Sequence, residues 1–219
     1  MEQTTITPYS PEWYQARIGV FTASEIHRLM TEPREAWRKK QGLLSVGAET
    51  YVLEKVHEKL TGIPKAGVDN YATQWGVEHE PLALEWYGKL TGNSLTEASL
   101  FFHPVIKEFA CTPDKLVNDD GICEVKCPAN GSNHLKHCFI TTPEYFKTEH
   151  PEYYWQAIAQ MNITGREWCD FVSFDPRIDK DLGLFIYRLE YQIEDAERLE
   201  AKVKQAVELF NSYYTLFSK

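Results

Sequence analysis

A chain of 219 residues, 43% hydrophobic and 25% charged, has the make-up of a folded globular protein and is too apolar for a disordered one. No apolar run approaches the roughly 20 residues of a membrane-spanning helix, and Met1–Thr5 has neither the basic region nor the apolar core of a signal peptide, so a cytosolic protein is expected. The net charge of −9 excludes a uniformly basic nucleic-acid-binding surface but leaves room for clustered carboxylates and a local basic patch.

The densest such patch is Arg34, Arg38, Lys39 and Lys40, which reads equally as a solvated helix face. The cysteines Cys111, Cys123, Cys127, Cys138 and Cys169 are odd in number, form no disulfide framework and read as reduced thiols.

No repeat, low-complexity tract or long linker interrupts residues 1–219, so one domain is expected. Thr22-Ala23-Ser24-Glu25 ahead of Ile26, Leu29 and Met30 predicts a capped helix. Val52, Leu53, Val56 and Leu60 recur at helical spacing, and Thr61-Gly62 closes a helix from about residue 46. A further helix is predicted from about Trp75 to Leu90, closed by Thr91-Gly92. Ser94-Leu95, Ser99–Phe102 and Phe109–Thr112 read as strands.

Asn118-Asp119-Asp120-Gly121 is a turn signal. After it, Ile122–Cys127 alternates, with Ile122, Glu124 and Lys126 on one face and Cys123, Val125 and Cys127 on the other; Pro128 ends the strand. This predicts a hairpin that carries Asp114 alongside Glu124. Then follow a helix over about 151–164, strands over Trp168–Phe174 and Leu184–Leu189, and an amphipathic helix from Ile193 to about Phe217 with Leu199, Val203, Val207 and Phe210 in its stripe. The order of elements predicts an α/β fold with a central mixed sheet flanked by helices.

Asp114, Glu124 and Lys126 carry the chemistry. Residues two apart on a strand share a face, so Glu124 and Lys126 lie together. Oxygen donors of this kind, with the Val125 carbonyl as a further one, suit a hard ion such as magnesium. Such an ion activates and orients water at a phosphodiester, and Lys126 would hold or deprotonate that water or neutralise the phosphate. The spacing alone fits an ordinary exposed Glu-x-Lys pair as well.

Pro113-Asp114 followed by Glu124-Val125-Lys126 resembles the PD-(D/E)xK nuclease motif. From about Trp13 onward the chain is similar to the phage lambda exonuclease (YqaJ-type viral recombinase) family. The pieces that carry the resemblance are Trp13–Gly19, Thr22–Glu25, Trp75–Glu80, Cys111–Asp114, Glu124–Pro128, Tyr153–Gln156 and Phe174–Arg177, in that order.

The resemblance implies a PD-(D/E)xK nuclease core and a magnesium-dependent 5′→3′ exonuclease, with manganese as a substitute ion. Its substrate would be double-stranded DNA ends, left with a 3′ overhang for annealing recombination. Asp114, Glu124, Glu80 and the Val125 carbonyl would hold metal, Lys126 would be the catalytic lysine, and Gln156 would orient substrate or water. Arg17, Ser24, Arg34 and Thr112 would bind the DNA 5′-phosphate, where arginine offers a planar fork. A homotrimeric ring, a phage single-strand annealing partner and a phage or prophage origin in a bacterial cell are implied as well. Ser24 as a plain helix cap, Gln160 as structural support, and an endonuclease, an exonuclease of other polarity or a silent DNA-end-binding scaffold are the alternatives.

Cys123, Cys127, His134, His137 and Cys138 do not fit the short paired knuckles of a zinc site. No cysteine precedes Cys111 to build an iron–sulfur site, and no phosphate-binding glycine loop points to ATP.

Overall fold

The computed structural model describes residues 4–65 and 70–218. In chain order the elements are α1 (Pro11–Ala16), β1 (Phe21–Thr22), a 3-10 turn (Ala23–Glu25), α2 (His27–Met30), α3 (Ala36–Lys40), α4 (Val46–Thr61) and α5 (Tyr71–Thr91). There follow β2 (Leu95–Glu97), β3 (Phe101–Phe102), β4 (Phe109–Cys111), β5 (Lys115–Val117) and β6 (Gly121–Lys126), then α6 (Gly131–His137), α7 (Pro143–Glu149), α8 (Pro151–Thr164), β7 (Trp168–Phe174), α9 (Lys180–Gly183), β8 (Leu184–Glu190) and α10 (Ile193–Phe217).

The main sheet has the order β2-β5-β6-β7-β8. All its neighbours are antiparallel except β6 and β7, which run parallel with Glu124 opposite Phe171. Helices α6 to α8 make the crossover between that parallel pair, which a hairpin turn cannot make. A small second sheet, β1-β4-β3, carries the N-terminal strand beside the strand that leads to Asp114.

The two faces of β6 belong to two cores. Ile122 packs with Tyr51, Ile158, Phe171, Leu199 and Val203 in the larger core, contributed by α4, α8 and α10. Cys123, Val125 and Cys127 pack with Ala83, Leu84 and Tyr87 of α5 on the other face. The alternation expected of this strand is therefore present, with both faces covered. A third small cluster joins Trp13 and Val20 to Leu100 and Ala110.

Capping explains the ends of the helices that frame the site. Ser45 Oγ accepts the Ala48 N–H at 3.2 Å, and Gly62 and Gly92 close α4 and α5 at φ 66° and 69°, the left-handed conformation that glycine adopts without penalty. Asn70 caps α5 by accepting the Thr73 N–H at 3.0 Å, so this helix starts four residues before the expected Trp75. The Ser24 segment departs from expectation. It is a 3-10 turn followed by a separate α2, neither start has a side-chain cap, and the Ser24 hydroxyl lies 3.4 Å from that of Thr22. Ser24 is no helix cap.

The zinc-like set is dispersed. Cys123 and Cys127 lie in the α5-side core, while His134 and His137 both bond the Ser173 hydroxyl, at 2.9 and 2.8 Å. No helix among the described residues is long and apolar enough to cross a membrane.

Candidate active site

Glu124 sits on the central strand and is 2% exposed. A buried carboxylate needs partners for both oxygens. Gln156 Nε2 donates to Oε1 at 2.6 Å, Gln160 Nε2 donates to Oε2 at 2.6 Å, and the Lys126 ammonium donates to Oε1. The two glutamines are one turn apart on α8, so they present two amides to one carboxylate. Gln160, expected only as support, thus holds Glu124 directly.

Asp114 follows β4 and Pro113. Its Oδ2 accepts the Val125 N–H at 2.7 Å, which ties the start of β5 to the middle of β6. Glu80 comes from the opposite side, on α5 just before Pro81, where the helix lacks one N–H. Asp114, Glu124, Glu80, Lys126, Val125 and Gln156 line one cavity of about 300 Å³.

Three carboxylates around one cavity repel each other. Burial, then Glu124, then Glu80 push the Asp114 carboxyl well above its usual range, against Lys126 and the Val125 N–H. Burial and then Glu124 push Glu80 up as well. Burial works against the Lys126 charge, but Glu124 and Asp114 outweigh it and hold the ammonium above its ordinary pKa. Hard oxygen donors whose negative charge is under-compensated fit a divalent cation. No group of three or more His, Cys, Asp and Glu among the described residues stands ready to enclose an ion.

Arg17, Ser24 and Thr112 line the same cavity. The Arg17 guanidinium lies 3.6 Å over the Trp13 ring and forms no ion pair among the described residues. Trp13 Nε1 in turn donates to Thr112 Oγ1 at 3.0 Å. Arg34 is not brought here. It lines a separate depression with His27, Arg28 and Glu35. Its neighbour Arg38 is committed to Glu49, at 2.9 Å, and to the Leu44 carbonyl.

Tyr9 and Trp13 also line the cavity and were not expected there as site residues. In the sequence, Trp13 stands out only as the start of the Trp13–Gly19 stretch. Tyr9 stands alone in a polar stretch, and the only local signal it offers is Ser10-Pro11 after it, which marks a turn.

A family model for the YqaJ-like viral recombinase domain matches residues 12–167, more than half of the chain. This chain belongs to the YqaJ-like viral recombinase family. An alkaline exonuclease from Laribacter hongkongensis (LHK-Exo) is 34% identical, with 95% of this chain and 96% of that one covered and a TM-score of 0.78. A second structure of LHK-Exo, in complex with dAMP, is similar at 35% identity, 94% and 95% coverage and a TM-score of 0.77. A phage-related exonuclease from Haemophilus somnus 129PT shares the fold at 22% identity, 91% and 95% coverage and a TM-score of 0.70. No curated protein matches the sequence significantly. Family membership and the exonuclease neighbours support a nuclease role for this YqaJ-like chain and a nuclease fold for its mixed sheet.

Proposed function

We propose that residues 1–219 form one exonuclease domain that removes nucleotides 5′→3′ from double-stranded DNA ends and leaves a 3′ overhang. One observation carries this reading: a carboxylate–lysine cluster and a guanidinium that forms no ion pair among the described residues line the same cavity. The first suits hydrolysis of a phosphodiester, and the second suits a terminal phosphate on the same nucleotide.

Asp114, Glu124, Glu80 and the Val125 carbonyl would hold magnesium, with manganese as a substitute. The ion, when bound, supplies an activated water and neutralises charge on the phosphate. The chain's own groups do the rest. Lys126, charged beside Glu124 and Asp114, neutralises a non-bridging phosphate oxygen. Gln156 orients Glu124 and the water. Arg17 forks two oxygens of the 5′-phosphate, while Ser24 and Thr112 offer hydroxyls. Trp13 supports the guanidinium from beneath and is itself held by donating its Nε1–H to Thr112 Oγ1. Arg34 is left out of this pocket. A homotrimeric ring would confine basic surface to its channel and so accommodate the net charge of −9. A single-strand annealing protein would take the overhang.

The test is digestion of linear duplexes labelled at each end, with 5′-phosphate or 5′-hydroxyl, with and without magnesium. Magnesium-dependent loss of the 5′ label, faster with phosphate, is expected. Loss from the 3′ end first, internal cuts, or binding without release would instead identify the opposite polarity, an endonuclease or a silent scaffold.

A further inference from the structure

A second cavity of about 330 Å³ lies behind the catalytic one and shares with it a wall of Tyr9, Trp13, Arg17 and Ser24. Apart from Arg17 on the shared wall, its charged side chains pair with one another. Lys55 Nζ is 3.0 Å from Glu58, whose Oε2 also accepts the Gly19 N–H, and Lys65 Nζ is 2.6 Å from Glu25. These cations are matched by carboxylates, so the cavity holds little for a second phosphate. What remains is aromatic. Tyr9 packs on Trp13 at 5.1 Å between ring centroids, and Tyr14 meets the other side of the wall edge-on at 5.0 Å from Trp13.

Tyr9 is 70% exposed at the lip where the two cavities meet, and its backbone is left-handed at φ 64°. A non-glycine residue holds that conformation at a cost and does so where its surroundings impose it. Here it sets a large aromatic face at the boundary between the Arg17–Ser24 wall and a space whose other charged side chains are paired. A flat, uncharged, stackable group attached to two phosphates fits that space.

We propose that the second cavity receives the nucleobase of the 5′-terminal nucleotide, stacked on Tyr9. The 5′-phosphate of that nucleotide would sit at Arg17 and Ser24, and its 3′-phosphate at Asp114 and Glu124. This rests on the exonuclease reading above. To enter, the base must leave its partner strand, so capture by Tyr9 also separates the strands at the end. Stacking tolerates any base, because each has a π-face.

The test is single-turnover release of the terminal nucleotide from 5′-phosphorylated duplexes that carry either adenine or an abasic residue at that position. Wild type should release the abasic residue about 5- to 150-fold more slowly, the range of one base–aromatic stack. Tyr9→Ala should lose a similar factor on adenine and nothing further on the abasic end, while Tyr9→Phe stays near wild type. Tyr9→Ala at the wild-type rate, or two penalties that multiply, would overturn the proposal. A second readout is independent of cleavage: 2-aminopurine at the terminal position, without divalent ion, with binding confirmed by anisotropy of a label at the far end. Bound wild type should quench it and Tyr9→Ala should not; equal signals overturn the base pocket. Failure of the exonuclease reading looks different, since wild type would then release neither terminal residue in magnesium.

Discussion

Gln160 Nε2 donates to Oε2 of Glu124 at 2.6 Å from a position with no solvent exposure. It fixes the carboxylate from the oxygen that Gln156 and Lys126 leave free. Gln160→Leu removes that donor at nearly constant size. Partners that orient a metal-holding side chain typically contribute 10- to 100-fold in affinity or activity. Gln160→Leu is expected to lower magnesium affinity and nucleotide release by about that factor while the fold is kept. A magnesium titration of the release rate, beside a circular dichroism spectrum, checks it; an unchanged titration would rule out a positioning role.

Under the proposed function, Asp114 couples activity and stability in opposite directions. Its folded pKa lies above the unfolded one, so without a cation its ionised form costs stability at neutral pH, and that cost recedes as pH falls through the raised pKa. Asp114→Asn removes the charge and keeps an oxygen to accept the Val125 N–H. It is expected to melt at a higher temperature than wild type in divalent-free buffer at pH 7, and to lose activity by at least about 10³-fold, in line with the several kcal/mol a catalytic metal supplies. Magnesium should raise the wild-type melting temperature more than that of the variant. A variant that melts lower than wild type would contradict the repulsion.

His137 acts at the acid end. It is 2% exposed, and burial first, then His150, His134 and Lys126, push its pKa from 6.5 down to about 3. The unfolded chain therefore takes up a proton that the folded chain refuses. Stability from this group is complete above pH 6.5 and is lost as pH falls from there toward 3. The denaturant midpoint is expected to drop on acidification across that window, with a shallower drop in His137→Gln.

Gly121 opens β6 directly against Trp168 of β7. A Cβ there would lie 2.1 Å from the Trp168 ring. Gly121→Ala is expected to cost about 1–3 kcal/mol through forced displacement of the indole, read as a lower urea midpoint. Because Gly121 begins the strand that carries Glu124, nucleotide release should fall as well.

The local part of this site was legible. Asp114, Glu124 and Lys126 lie within thirteen residues joined by one turn, so strand alternation and a turn signal suffice to place them together. Helices α8 and α10 were legible for the same reason, each with a full apolar period. Gln160 was visible only as a neighbour of Gln156; that both amides reach one carboxylate depends on how α8 docks on the sheet. The Ser24 segment misled because a hydroxyl before an apolar run signals a cap, whereas the chain turns there through a 3-10 bend. Of the second sheet, β3 and β4 were expected as strands, while β1 escaped because it is two residues long and shows no period. The remoteness of Arg34 from Arg17 likewise follows from tertiary packing, which linear spacing does not encode.

The crowding of Glu124 has one more consequence. A carboxylate offers about four lone pairs, and the ammonium and two amides take three of them, so Glu124 keeps one for a cation without giving up a partner. Within the proposed function, an ion that arrives there meets a carboxylate already aimed, and the ordering of Glu124 is completed by the fold before any metal binds.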